Sequence, residues 1–195
     1  MRSHSRNYLL ETAIITKQID DKTIESLADH LCALRGQGGR LFIAGLGGSA
    51  ANASHAANDF RKLCGIEAYC LSDNVAELTA RANDQGWDES YAETLKASKP
   101  QPKDALLVLS VGGGTLQVSL PVSKAIDFAL HYCMMIFGIV GDAACGGYTK
   151  RKATVCVTVP TVEPSRITPH TEGFQSVILH CLVSHPKLQI AKTKW

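Results

Sequence analysis

The sequence predicts an α/β protein built on a parallel sheet, on three observations. Five short apolar runs, at 40–44, 67–72, 104–110, 134–140 and 154–160, alternate with stretches of helix-compatible sequence. The runs are continuously apolar, as strands covered by helices on both faces should be. Two of them end in glycine loops flanked by hydroxyls, 45-GLGGS-49 and 110-SVGGGT-115, each leading into a helix, and in an open parallel sheet ligands sit beyond such strand ends.

The elements follow in order. Leu9, Leu10, Ala13 and Ile14, then Ile24, Leu27, Ala28, Leu31 and Leu34, recur at spacings of three and four and stop at Gly36, which reads as one or two amphipathic helices. The first strand runs into glycines that let the backbone turn sharply and aim its N–H groups at an anion, at the start of a helix bearing His55 and Asp59 one turn apart on one face. Asn83, Asp84 and Gly86 read as an ordinary turn, and 145-CGGY-148 as a turn before the last strand. Thr168 as cap, with Pro169 at the first helical position, opens a closing helix that carries Glu172 and His180.

Composition narrows the function. At 195 residues and 45% apolar content the chain can bury a full core, and one domain spanning 1–195 is expected. A net charge of +2 without runs of like charge argues against a nucleic-acid surface and leaves small anionic ligands. Seven cysteines, odd in number and without a CxxC pair, suit reduced thiols in a cytosolic protein better than disulfides or a zinc knuckle. The first residues lack a signal-peptide pattern, and no segment reaches the roughly 18 apolar residues that cross a bilayer, so a soluble cytoplasmic protein with no membrane partner is expected.

The succession GLGGSAANASHAANDF, LSDN with ARANDQGW, VLSVGGGT and TPHTEGFQSVILH resembles the sugar isomerase (SIS) domain family, in its phosphoheptose (sedoheptulose 7-phosphate) isomerase branch, from about residue 8 to residue 186. The resemblance implies a three-layer α-β-α sandwich around a five-stranded parallel sheet, of flavodoxin-like type, assembled as a homotetramer with active sites between subunits and with the N-terminal helices, 6–36, in the interface. It further implies conversion of sedoheptulose 7-phosphate to a D-glycero-D-manno-heptose 7-phosphate, without an organic cofactor. Gly48 and Ser49, with Ser110, Gly112, Gly113, Gly114 and Thr115, are then expected at the sugar phosphate, and Asn83 and Asp84 near the substrate.

This chain departs from the family pattern at informative places. Leu46 interrupts what is usually GNGGS, and SVGGGT replaces STSGNS, so glycine amides would have to form an anion-binding nest where side-chain hydroxyls are lost. Ketose–aldose interconversion needs a base for the proton next to the carbonyl and an acid for the oxygen. The family's carboxylate and histidine fall on Asp59 and His180. Family members usually have Glu at 59 and Gln at 172; the missing methylene withdraws the base by roughly 1 to 1.5 Å, and a misplacement of about 1 Å can cost on the order of a hundredfold in rate. Glu172 is therefore a second candidate base.

Some relatives bind zinc at these positions, making His55, Asp59, Glu172 and His180 a candidate ligand set. His55 and Asp59, about 6 Å apart along a helix, can share an ion, whereas Glu172 and His180 are separated by about 12 Å of rise and about 80° of rotation. Each residue also has a plainer reading: His55 as a surface histidine, Asp59 paired with Arg61, Lys62 or solvent, His180 as a buried histidine bonded to backbone, and Glu172 as a dipole-favouring acid in a first turn. His170 in that first turn has a ligand-facing reading that nothing in the sequence supports. Two other functions stand beside the isomerase: a phosphosugar-binding or assembly protein that has lost turnover, and an isomerase of another phosphosugar.

Overall fold

A computed structural model describes residues 3–193 apart from residue 116. Its five strands are β1 (Leu41–Ala44), β2 (Ala68–Cys70), β3 (Ala105–Ser110), β4 (Met135–Gly141) and β5 (Val155–Val159), all parallel in the order β2-β1-β3-β4-β5. Every apolar run identified in the sequence became one of them.

Among the described residues eight α-helices cover the sheet: α1 (His4–Gln18), α2 (Asp21–Gly36), α3 (Gly48–Cys64), α4 (Val75–Asp84), α5 (Ser90–Ala97), α6 (Leu120–His131), α7 (Gly147–Lys152) and α8 (Ile167–Val183). Alternate strand residues feed two cores, which is why the central runs read as continuously apolar. Leu41, Ile43, Leu107, Leu109, Phe137 and Ile139 pack with α2, α3 and α8. Phe42, Leu106, Val108 and Ile136 pack against Tyr91 and Leu95 of α5 and Val122, Ala125 and Ile126 of α6. The result is the three-layer α-β-α sandwich that the resemblance implied.

The N-terminal segment is two helices, and Asp20 explains the break. Its carboxylate accepts from Lys22 N at 3.1 Å and Thr23 Oγ1 at 2.7 Å, capping α2 just after α1 ends. Ile15, Leu27, Ala28, Leu31 and Leu34 enter the chain's own core, while Leu9 and Ile14 of α1 remain exposed.

Three local expectations are corrected. The closing helix begins at Ile167, after a 3-10 turn over Pro164–Arg166, so Thr168 is not its cap and Pro169 lies inside its first turn, where the missing N–H has no intrahelical partner to lose. The turn expected at 145–148 is a 3-10 turn, Ala143–Gly146, running into α7. Asn83 and Asp84 end α4, and the chain reverses only at Gly86, φ 90°.

Candidate active site

Strand order reverses between β1 and β3: the chain leaves β1 for β2 on one side and builds β3, β4 and β5 on the other, so their loops diverge and leave a crevice at the carboxyl edge. The two glycine loops face each other there, across a cleft of about 240 Å³ lined by Leu46, Ser49, Ser110, Val111, Gly112, Gly114, Thr115, Val118 and Ser119. Gly113 supports this wall from behind. Among the described residues no side chain caps the start of α3, which leaves first-turn N–H groups for a ligand. Ser110 Oγ accepts from Gly113 N at 3.0 Å, and Thr115 Oγ1 from Val118 N at 2.8 Å. Their lone pairs thus engaged, both hydroxyls keep a proton to donate to an anion.

Both loops are held from outside the cleft. Fully buried Tyr91 donates its hydroxyl to Gly45 O at 2.6 Å, and burial pushes its pKa up to about 12, so the donor keeps its proton. The second loop is tied to α7: Tyr148 N donates to Gly114 O and Thr149 N to Gly113 O, both at 2.8 Å, and Thr149 Oγ1 to Gly113 O at 2.7 Å. The two segments touch backbone to backbone. A Cβ on Gly113 would overlap Gly146 O, one on Gly147 would overlap Gly112 O, and both glycines have φ above +60°.

Helices α3 and α8 lie side by side and run the same way. Gly48 meets Glu172, Asn52 meets Glu172 and Gln175, His55 and Asp59 meet His180, and Cys64 meets Val183. His55 Nε2 lies 3.0 Å from Asp59 Oδ2, His180 Nε2 lies 3.4 Å from His55 Nε2, and His180 Nε2 lies 3.9 Å from Asp59 Oδ2. One ligand atom from each of the three falls within 4.8 Å of the others. The imidazoles are 59% and 55% exposed and Asp59 only 14%, so a sheltered carboxylate carries two accessible bases. Asp59 Oδ1 accepts from Asn58 Nδ2 at 3.0 Å, which leaves Oδ2 to the histidines. Asp59 and His180 also line a groove of about 460 Å³ with Lys62, Ser184 and Gln189.

His180 is exposed and not a buried histidine bonded to backbone, Asp59 meets Asn58 and His55 in place of Arg61 or Lys62, and His55 is a surface histidine that faces both. Glu172 does not join the trio. Its half-buried carboxylate rests over Gly48, where a Cβ would overlap it, so the absent side chain of Gly48 makes the room. Asn83 and Asp84 are exposed at the end of α4, bonded to each other at 2.8 Å, and contribute nothing to the glycine cleft in this chain. His170 is 4% exposed; its Nε2 lies 2.9 Å from Glu11 Oε2 and its ring stacks on Tyr8 at 4.3 Å, which makes it part of the α1–α8 contact and not a ligand group.

Sequence reasoning passed over Ser119 and Val118 in the cleft and Asn52 on α3. Asn52 had a visible signal, since residues 48, 52, 55 and 59 share one helical face.

Residues 7–125 match the SIS domain family. A phosphoheptose isomerase of Thiobacillus denitrificans is 31% identical over 166 residues, 82% of this chain and 79% of that protein. One of Mycobacterium tuberculosis is 29% identical over 183 residues, 90% of this chain and 87% of that protein. A structure of a phosphoheptose isomerase from Francisella tularensis superposes with a TM-score of 0.79 at 22% identity, over 94% of this chain and 97% of that one. That similarity shows the shared fold. No helix among the described residues is long and apolar enough to cross a membrane.

Proposed function

The chain belongs to the SIS domain family, and on that footing we propose that it is an isomerase of a seven-carbon sugar phosphate, converting sedoheptulose 7-phosphate to D-glycero-D-manno-heptose 7-phosphate. The observation that carries the reading is the meeting of His55, Asp59 and His180 from two helices, alongside curated relatives that bear that activity's name. The phosphate would sit in the glycine cleft, held by Gly48, Gly112 and Gly114 through the backbone and by Ser49, Ser110 and Thr115 through hydroxyls, with Gly113 bracing Ser110 from behind, close to the uncapped start of α3. Asn83 and Asp84 would reach the substrate only if α4 moves or another subunit presents them.

A carboxylate removes the proton next to the carbonyl and an imidazole protonates the oxygen as the enediol forms. Asp59 and His180 take these roles, with His55 holding the Asp59 carboxylate. Glu172, beside the cleft at Gly48, is the second candidate base; Asp59 lies about 16 Å of helical rise further along. The trio fits zinc, since two imidazole nitrogens and a carboxylate oxygen are ligands that ion takes, with a position left for substrate or water. When bound, zinc would polarise the substrate's oxygens.

The proposal extends to a cytoplasmic homotetramer. The glycine cleft and the trio's groove share no lining residue among those described, which favours a second copy completing each site, and the exposed Leu9, Ile14 and Val177 offer apolar contact. All seven cysteines are free thiols, as a reducing compartment requires.

Incubating the purified protein with sedoheptulose 7-phosphate, with and without added zinc, tests the reaction. Turnover that disappears in both His180→Ala and Asp59→Ala is expected. Binding without turnover in the unaltered protein would turn the conclusion to a phosphosugar-binding function, which the change from STSGNS to SVGGGT in the second loop favours. Turnover of a different phosphosugar alone would keep the chemistry and change the substrate.

A further inference from the structure

Asn52 sits on α3 between the two parts of the site, one turn after Gly48 and one turn before His55. Its side-chain amide donates twice to α8, to the main-chain carbonyl of Glu172 at 2.9 Å and to Gln175 Oε1 at 3.1 Å. One planar group bonded to acceptors at positions 172 and 175 fixes both the rotation and the separation of α8 against α3.

Apolar packing joins the far ends of these helices, where Phe60 and Leu63 of α3 share a core with Ile178, Leu179 and Leu182 of α8, and is thinner around Asn52. The buried positions of α3 around Asn52 are Ala53, Ala56 and Ala57, whose shallow ridges let helices slide or roll against each other. Gln175 is fully buried, and its Nε2 has no hydrogen-bond partner among the described residues. An orphaned buried donor is destabilising, and an apolar side chain of similar size would avoid it. What the glutamine offers in return is an acceptor for Asn52.

We infer that Asn52 is a positioning residue, aided by Gln175, that holds α8 in the one setting where the Glu172 carboxylate rests on Gly48 and His180 reaches His55 and Asp59. The inference leans on the proposed reaction for what those groups do; the contact itself does not depend on it.

The test compares the full-length protein with Asn52→Ala and Gln175→Leu. An NMR cross-relaxation signal between the ring protons of His55 and His180, whose centroids are 5.1 Å apart, reports the helix setting without substrate. Asn52→Ala should lose that signal and lower kcat on the sugar phosphate by about tenfold to a hundredfold, with the affinity for inorganic phosphate, measured by calorimetry, unchanged. Gln175→Leu should keep or raise the melting temperature while kcat falls, a division that a purely structural role would not give. A folded Asn52→Ala that retains both the ring signal and kcat overturns the inference, as does a loss of kcat that merely tracks lowered Tm in both variants. Should Asn52→Ala not fold, Gln175→Leu decides by the same two readouts. If the unaltered protein turns over no sugar phosphate, the proposed reaction fails while the ring signal still judges Asn52.

Discussion

Asp59 shows how much a single carboxylate can be asked to do. With Oδ1 held by Asn58, Oδ2 is the only oxygen left for two imidazoles, at 3.0 and 3.9 Å. Asp59→Asn keeps the shape and removes the base, so kcat should fall by about a hundredfold to ten-thousandfold with KM little changed, a typical loss for general acid–base catalysis. Glu172→Gln should cost far less if Asp59 is the base; the reverse ranking in steady-state kinetics would move that role to Glu172, at the cleft end of α8. The trio was legible in the sequence because i,i+4 spacing puts His55 and Asp59 on one face and the family pattern supplied His180. Glu172, grouped with them in the sequence, sits at Gly48 in this chain, because spacing gives rise along a helix but not which neighbouring backbone stands opposite. That depended on Gly48 having no side chain.

At the level of elements, the phosphate cleft is two loops and the things that hold them. Tyr91→Phe removes the hydroxyl bonded to Gly45 O and nothing else. At about 1 kcal/mol for a net hydrogen bond and about 2–4 °C per kcal/mol in a chain of this size, the melting temperature should drop by a few degrees, with weaker phosphate binding in calorimetry. Gly113→Ala is more severe: φ is +71° and the new methyl would meet Gly146 O, so at least about 1–3 kcal/mol of backbone strain is expected, together with loss of phosphate affinity, both visible in thermal melts with and without phosphate. All five strands could be read from apolar runs bounded by glycine or charge. Helix α7 could not, because 145-CGGY-148 has the composition of a turn, and its conformation follows from Gly146 and Gly147 packing on the second loop, a contact between segments far apart in sequence.

Across the whole molecule, α1 is fastened to α8 by charge. Glu11 meets Arg166 at 2.7 Å and His170 at 2.9 Å, and Tyr8 stacks on the His170 ring. The Arg166 guanidinium first, then His170, hold the Glu11 carboxyl at about 2, against an ordinary 4.5. A depressed carboxyl stabilises the fold fully above its unfolded value and loses that contribution as pH falls through its folded one. The melting temperature of the native protein should therefore exceed that of Glu11→Gln near neutrality, and the gap should close between about pH 4.5 and about pH 2; a constant gap across that range would refute the pairing. Periodicity could place one or two N-terminal helices, but not this tie, since Glu11 and Arg166 are 155 residues apart and each looks like ordinary surface charge. For anyone building on this scaffold, α1 is a poor handle: a bulky carrier or surface attachment tugging on it would pull, through Arg166, on the very helix that bears Glu172 and His180. Anchoring through the outward face of α4, where Val75 is exposed, would leave that lever untouched.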